Sequence, residues 1–547
     1  MVATSNPSSS LSMRESFAGR HILVTGVSGF LGKVWLAWLL QEVPDVGRIT
    51  VLLRGKKGQG AEQRFLRILA SSPVLRALRQ RHRGNYAEFM HDKIRMVEGE
   101  LGQPWLGLGE AAAKRLAASV DVVVHFAGMT DFEPDPRQAL AINVLGSLHI
   151  SDLAALSQGK RMVYVSTAYV AGNVSGEIPE RIEVGRSPNG TPFSPSEEFE
   201  ALQAICQQSS TRSERIGAAS ERARRLGWPN IYTYTKALSE HLLAARADLH
   251  LTIVRPTIVE SALRFPFPGW NEGVNTSAPL VWLLSSSFCR FPSRAHHRFD
   301  VIPVDAVARA TSVITALALK DRSEAVYHLA TSSINPMSFG RAIDLTALAS
   351  RRMHDRKSRS SLEKRILKHL DAYAVDGDRP SRLGLPFLRA NARQLRDRLQ
   401  ALLAEKRLRS LLGDSLGSRV EDKLRRLSMA CKNTERRWGQ MEEMLRLYRP
   451  FIHDNDYLFQ TRHIREAYAQ LNAEDRRRFA FGVEGIDWRH YWLEVQIPGL
   501  ERWSLPLLRG EKVEGDPPLE GFEERWLDLQ QAAFARPVVP SRAVSVG

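Results

Sequence analysis

One stretch constrains this chain more than any other. An apolar run, His21 to Thr25, leads into Gly26-Val27-Ser28-Gly29-Phe30-Leu31-Gly32, and a second apolar run follows through Leu40. Strand, glycine turn and helix in that order open a parallel sheet of the α/β kind. Glycines let the chain reverse tightly and turn backbone N–H groups toward a pyrophosphate, whose charge a helix N-terminus favours. Turns use glycine freely, so the weight lies in the flanking strand and helix.

The rest of the first 330 residues continues that pattern. Short runs rich in Val, Ile and Leu predict strands over 21–25, 49–53, 94–98, 120–125, 161–166 and 251–255, separated by helical stretches. The predicted fold is α/β, a doubly wound parallel sheet of the Rossmann type, followed by a mostly helical C-terminal domain. The expected units are a flexible segment 1–18, a dinucleotide-binding domain 19–345 with substrate-binding insertions, a helical domain 346–535, and a frayed tail 536–547. Within the helical part, 392–412 predicts a helix. Leu395, Leu399, Leu402 and Leu403 lie on one side of it, with Arg393, Arg396, Lys406 and Arg407 between them. That leucine stripe is expected to be core, and Asp371 to Pro386 reads as a loop.

Charge and cysteine usage narrow the classes. Of the net +16, residues 351–450 carry 26 Lys and Arg against 13 Asp and Glu. A basic face favours anionic partners: acidic lipid, nucleic acid or a phosphate-bearing substrate. Cys206, Cys289 and Cys431 share no metal-ligand spacing, so no metal is expected and a reducing compartment is. No run approaches 18 apolar residues; the best, Ala278 to Leu284, is far too short to span a bilayer. A cytoplasmic protein, touching membrane at most from one side, is the expectation.

The second strand bears on which dinucleotide binds. It ends Leu52-Leu53-Arg54-Gly55-Lys56, with no acid to accept from a ribose hydroxyl, and Arg54 can grip a 2′-phosphate. NADPH is therefore expected. After the third strand, Val97-Glu98-Gly99-Glu100 offers a carboxylate to an adenine amino group. After the fourth, His125-Phe126-Ala127-Gly128 supplies small residues; Asn143 and Gly146 follow on a helix.

Tyr232 and Lys236 stand i, i+4 at the head of a helical run, on one face. An ammonium beside a phenol is expected to lower its pKa, and such a phenol can protonate a carbonyl oxygen as hydride arrives. Val163-Tyr164-Val165-Ser166-Thr167 ends the fifth strand, where ligands bind; by type, Ser166 or Thr167 can donate to an oxyanion.

Together these residues resemble the extended short-chain dehydrogenase/reductase family, and more narrowly its alcohol-forming fatty acyl-CoA reductases. The narrower likeness rests on Arg255-Pro256-Thr257-Ile258-Val259-Glu260-Ser261-Ala262, on Pro266-Phe267-Pro268-Gly269-Trp270-Asn271-Glu272-Gly273 and on Asp305. Thr167-Ala168-Tyr169-Val170 and, near the end, Phe479, Ile486-Asp487-Trp488 and Tyr491 add to it. The resemblance implies Thr167, Tyr232 and Lys236 as the catalytic set. It also implies cofactor contacts from Gly26, Ser28, Gly29, Phe30, Leu31, Gly32, Arg54, Glu100, Leu101, Ala127, Tyr232, Lys236, Pro256 and Ile258. The implied substrate is a long-chain acyl-CoA or acyl carrier thioester, reduced through aldehyde to alcohol. Phe126, Gly128 and Glu100 depart from the family's commoner alanines and aspartate. The polar insertion between Thr167 and Tyr232 is expected to form a lid or substrate wall, and the basic 351–450 segment to meet CoA phosphates, a carrier protein or an anionic membrane. Other readings are a thioester reductase that stops at aldehyde, a sugar-nucleotide enzyme on the same fold, and a silent module whose basic part binds nucleic acid; nucleic acid is not expected.

Overall fold

The apolar runs pair as seven parallel strands: β1 His21–Thr25, β2 Arg48–Leu53, β3 Ile94–Glu98, β4 Val122–His125, β5 Arg161–Val165, β6 His250–Pro256 and β7 Val326–Leu329. The computed structural model describes residues 10–56, 58–274, 277–284, 290–356, 373–375, 385–404 and 414–535. Strand order is 3-2-1-4-5-6-7, which reverses between β1 and β4 and opens a crevice at their carboxyl ends. Alternate residues serve opposite faces: Ile22 and Val24 join one core and Leu23 the other. Both faces are covered, so these strands are apolar throughout rather than alternating. β7 was not among the expected strands; it is four residues long and carries a buried His328, which hides it from a search for apolar runs.

Five helices position the site. Helix α1 (Phe30–Glu42) follows the glycine turn, α2 (Ile231–Ala244) carries Tyr232 and Lys236, and α3 (Val304–Leu319) is buried along its whole length between α1 and β4–β6. Helices α4 (Leu385–Ala404) and α5 (Asp414–Arg449) pack against each other.

Four expectations are corrected. The first is the N-terminal segment: residues 10–18 are tied down, with Met13 and Phe17 fully buried and the Met13 N–H donating to Asp475 Oδ2 at 2.7 Å. The second is the leucine stripe. Leu399 is buried, but Leu395 and Leu402 are exposed, because among the described residues α4 packs mainly on α5 and offers only a narrow seam; Lys406 and Arg407 lie outside the described residues. The third is 371–386, which is not loop throughout: Tyr373–Val375 is a strand parallel to Arg290–Pro292, and α4 starts at Leu385. The fourth is the insertion. Its helices Pro195–Gln208 and Arg212–Arg225 buttress the outside of α2, where Glu198 accepts from Tyr234 and pairs with Arg222 at 2.6 Å.

The C-terminal stretch shares the main core rather than building its own. Ile452, Phe459, Trp492 and Trp503 cluster with residues of β1, α1 and α3, and Tyr457–Phe459 pairs in parallel with Gly176–Ile178. The Pro268-Gly269-Trp270-Asn271 block is where the two parts lock. Gly269, at φ +79°, lies so close to Gly499 that a Cβ on Gly499 would stand 2.3 Å from the Gly269 carbonyl oxygen. Tyr491 donates to the Ser261 carbonyl at 2.7 Å, and Asn271 to Ser261 Oγ at 2.9 Å. Backbone against backbone cannot yield to a side chain, so Gly499→Ala is expected to destabilise by roughly 1–3 kcal/mol. A chemical-denaturation midpoint equal to that of the parent chain would show that the crossing bears no load.

Candidate active site

The glycine turn has no room to spare. A Cβ on Gly26 (φ +80°) would lie 2.5 Å from the Ala127 nitrogen, and one on Gly32 would lie 2.5 Å from the Gly26 carbonyl oxygen. The turn is thus flush against the exit of β4 and the start of α1. Gly29 caps α1 without a side-chain bond, which leaves the first-turn N–H groups for an anion. Such a side-chain-free cradle fits a dinucleotide pyrophosphate.

One strand away, Thr167 caps the short turn Ala168–Ala171, its hydroxyl oxygen accepting from the Tyr169 N–H at 3.3 Å. That turn holds the hydroxyl at the carboxyl end of β5, where it lines the same cavity as Tyr232 and favours the phenol's ionised form. Asn230 caps α2 by accepting from the Thr233 N–H at 2.9 Å, which fixes the turn that carries Tyr232. Lys236 Nζ donates to the Val165 carbonyl at 2.9 Å and lies 4.1 Å from the centre of the Tyr164 ring.

Burial sets the protonation of this group. The Tyr232 phenol is pushed up to about 12, against the expected lowering, because loss of water outweighs the Thr167 hydrogen bond and Glu240 opposes ionisation. The Lys236 amine is driven down to about 7 by the same burial, with Glu240 pulling the other way. Glu240 itself is bound by Arg255 at 2.5 Å.

Behind these groups, His125 bridges Thr25 Oγ1 at 2.6 Å and Ser147 Oγ at 3.3 Å. Burial takes it down to about 3, so it is neutral. Asn143 holds the Gly128-Met129 turn to α2: its Oδ1 accepts from the Met129 N–H at 2.7 Å and its Nδ2 donates to Thr235 Oγ1 at 3.0 Å.

A cavity of about 1250 Å³ runs past the glycine turn, Thr167, Tyr232 and Lys236. Gly26, Gly29, Phe30, Leu31 and Gly32 line one end; Thr167, Tyr232, Lys236, Pro256 and Ile258 line the middle. The opposite wall comes from α4, α5 and the residues just after them, including Arg389, Lys432, Arg436, Met444, Tyr448 and Phe451.

A sequence model of the family described as male sterility protein matches residues 24–311. The alcohol-forming fatty acyl-CoA reductase of Simmondsia chinensis is 33% identical over 345 residues, covering 60% of this chain and 69% of that one. The chain belongs to the fatty acyl-CoA reductases of the male sterility family. The chloroplastic fatty acyl-CoA reductase 2 of Arabidopsis thaliana is 28% identical over 508 residues, 89% of this chain and 78% of its own. Among solved structures, the terminal R domain of the myxalamid PKS-NRPS pathway aligns with a TM-score of 0.45 at 18% identity, over 83% of this chain and 85% of that domain. Family membership makes this reductase an oxidoreductase with a nicotinamide cofactor.

Several residues expected at the cofactor stand off the cavity wall. Ser28, Arg54, Glu100, Leu101 and Ala127 are not among the lining residues. Arg54 faces Glu100 at 3.5 Å beyond the ends of β2 and β3, and the Leu101 carbonyl accepts from His149 at 2.8 Å. Ala127 instead packs its backbone on Gly26. Phe126, where a small residue is commoner, finds room against Trp35 at a ring separation of 5.3 Å.

Sequence reasoning missed the aromatic wall. Phe132 lies 6.4 Å from Tyr232, 5.2 Å from Tyr448 and 5.4 Å from Phe451, and Tyr169 lies 5.1 Å from Phe451. The expected lid lies elsewhere: no residue of the insertion helices lines the cavity, and the basic hairpin does.

A depressed amine is charged below its pKa and neutral above it, so Lys236 loses its proton as pH rises through about 7. The reductase's kcat/KM for its cofactor, which reports the free enzyme, is expected to decline over that interval. In Lys236→Arg, whose guanidinium stays charged, the decline should vanish; a profile still falling near 7 would place the ionisation on another group.

Proposed function

We propose that this reductase converts a long-chain acyl-CoA or acyl carrier thioester to a fatty alcohol through the aldehyde, with NADPH as reductant. One observation carries the reading: a single cavity joins the glycine cradle, the Thr167–Tyr232 pair and an apolar aromatic chamber. A short polar substrate would need no such chamber. Family membership favours an acyl substrate over a sugar nucleotide or a silent binding module.

Gly26, Gly29 and Gly32 would hold the pyrophosphate and Lys236 the nicotinamide ribose. Arg54 would take the 2′-phosphate; its pairing with Glu100 is 3.5 Å long and more than a third exposed at both ends, so a dianion can displace it. Bound there, the cofactor supplies hydride to a carbonyl carbon.

The chain's own groups handle the oxygen and the proton. The Tyr169 N–H donates to the Thr167 oxygen and orients it, and the hydroxyl hydrogen can turn from Tyr232 toward a carbonyl oxygen that gains charge. Tyr232, protonated at neutral pH, offers the second hydrogen bond. The tetrahedral adduct of the thioester collapses with loss of thiolate, leaving the aldehyde. In the second round Tyr232 gives its proton to the forming alkoxide.

The exposed Leu395, Leu402 and Met429 stand among the arginines of the α4–α5 hairpin, which supports peripheral contact with an anionic bilayer. Among the described residues no helix is long and apolar enough to cross a membrane.

Three measurements test the proposal. With palmitoyl-CoA, free thiol and NADPH consumed are expected in a ratio of about one to two; one to one would mean that the reaction stops at aldehyde. Tyr232→Phe is expected to bind NADPH normally and to lose roughly a hundredfold or more in turnover. Turnover close to that of the parent would remove the phenol from the chemistry. For cofactor choice, Arg54→Ala should raise KM for NADPH about tenfold or more while leaving KM for NADH unchanged. An equal rise with both would sever Arg54 from the 2′-phosphate.

A further inference from the structure

The cavity-facing side of α5 changes character along its length. Lys432 and Arg436 enter the cavity at its N-terminal part, and Met444, Leu447 and Tyr448 at its C-terminal part, beside the chamber next to Tyr232. The other charges on this wall are matched. Glu435 is bound by Arg396, and Glu443 by Arg446 at 2.6 Å. Lys432 and Arg436 have no ion-pair partner among the described residues, and Arg389 of α4, which pairs with Glu442 at 2.9 Å, lines the same cavity. Two cations with no ion pair among the described residues therefore stand on the wall of a cavity that continues into an apolar aromatic chamber.

The spacing selects a ligand. At 1.5 Å per residue, Arg436 lies about 18 Å along the helix from Tyr448, and Lys432 about 24 Å. A phosphopantetheine arm runs about thirteen bonds from sulfur to phosphorus. At the reach of extended chain, three bonds per residue, that is about 15 Å. Phe132 stands between Tyr232 and Tyr448, so a thioester held beside this ring has an arm of about the length that separates Tyr448 from Arg436, and its acyl chain would lie in the aromatic chamber.

We infer that Lys432 and Arg436 form the phosphate subsite for the phosphopantetheine arm of the thioester substrate. The inference rests on the acyl-thioester reading above and adds to it the residues that recognise the head of the substrate. Two sources carry this arm, coenzyme A and an acyl carrier protein. The cations would distinguish a thioester from the free aldehyde, which lacks the phosphate, so the two halves of the reaction would depend on them differently.

The test uses the full-length enzyme and the double variant Lys432→Glu/Arg436→Glu, with circular dichroism to confirm the fold. Its kcat/KM for palmitoyl-CoA is expected to fall about 10- to 100-fold through KM. Its kcat/KM for hexadecanal, for S-palmitoyl-pantetheine without phosphate, and its KM for NADPH are expected to be unchanged. Lys432→Arg/Arg436→Lys should keep the parent's kcat/KM. Calorimetric titration with coenzyme A alone should show the same loss of affinity in the charge-reversed variant. Equal losses with hexadecanal and palmitoyl-CoA, or an unchanged KM for palmitoyl-CoA, would overturn the subsite while leaving the acyl-thioester reading intact. A parent enzyme that reduces hexadecanal but no thioester would instead overturn that reading, and the subsite with it. Comparing palmitoyl-CoA with palmitoyl-acyl carrier protein in the parent enzyme tells which source of the arm is used.

Discussion

The site depends on a contact with no clearance, the glycine turn seated on the exit of β4. Because no side chain fits between Gly26 and Ala127, or between Gly32 and Gly26, the end of β1, the end of β4 and the first turn of α1 are fixed against each other. That fixes where an anion can lie. It also fixes the Gly128-Met129 turn, which Asn143 then ties to α2. The position of Tyr232 and Lys236 relative to the cradle follows from this chain of contacts rather than from any direct bond between them.

Burial then does most of the electrostatic work, with opposite sign for acids and bases. It pushes the Tyr232 phenol up and the Lys236 amine and His125 down, and it takes Glu260, behind the wall formed by Ile258 and Val259, up to about 7. Charge pairing is the smaller effect here, since Glu240, the carboxylate that acts on Lys236, is already held by Arg255. The i, i+4 spacing of Tyr232 and Lys236 suggested that the ammonium would acidify the phenol. Spacing along a helix shows proximity but not exposure to water, and desolvation decides the balance. A phenol that keeps its proton suits a group whose task is to donate one.

How much could be read beforehand follows from which interactions are local. Six of the seven sheet strands and the glycine turn are continuous stretches, and their apolar runs and glycine spacing are visible in the chain itself. Tyr232, Lys236 and Thr167 could be picked out because each sits at a strand end or on one helical turn. What was missed comes from distant pairings. The partner of Arg54 is Glu100, the Phe132 ring beside Tyr232 is backed by Tyr448 and Phe451, and Leu395 is exposed because among the described residues α4 packs mainly on α5. No local pattern encodes those. The insertion misled for a related reason: amphipathic helices next to a catalytic residue can line its cavity or brace its outer face, and only the packing of Glu198 against Tyr234 and Arg222 decides.

The Pro268-to-Gly273 block, which carried much of the family likeness, holds the two halves of the chain together. Glu260 accepts from the Ser277 N–H at 3.1 Å and from Gln496 Nε2 at 2.5 Å, while Gln496 Oε1 accepts from the Ser261 N–H at 3.1 Å. A buried carboxyl with both oxygens engaged is costly to leave half-paired, so this network resists sliding of one part over the other. At the other end, α5 runs into Phe451 and then into Tyr457–Phe459, which is in register with Gly176–Ile178, just beyond the turn that carries Thr167. The basic hairpin is therefore anchored by a strand pairing close to the Thr167 hydroxyl. Its distance from Thr167 is set by backbone register, as the proposed phosphate subsite would require if it is to match a substrate's head by length as well as by charge.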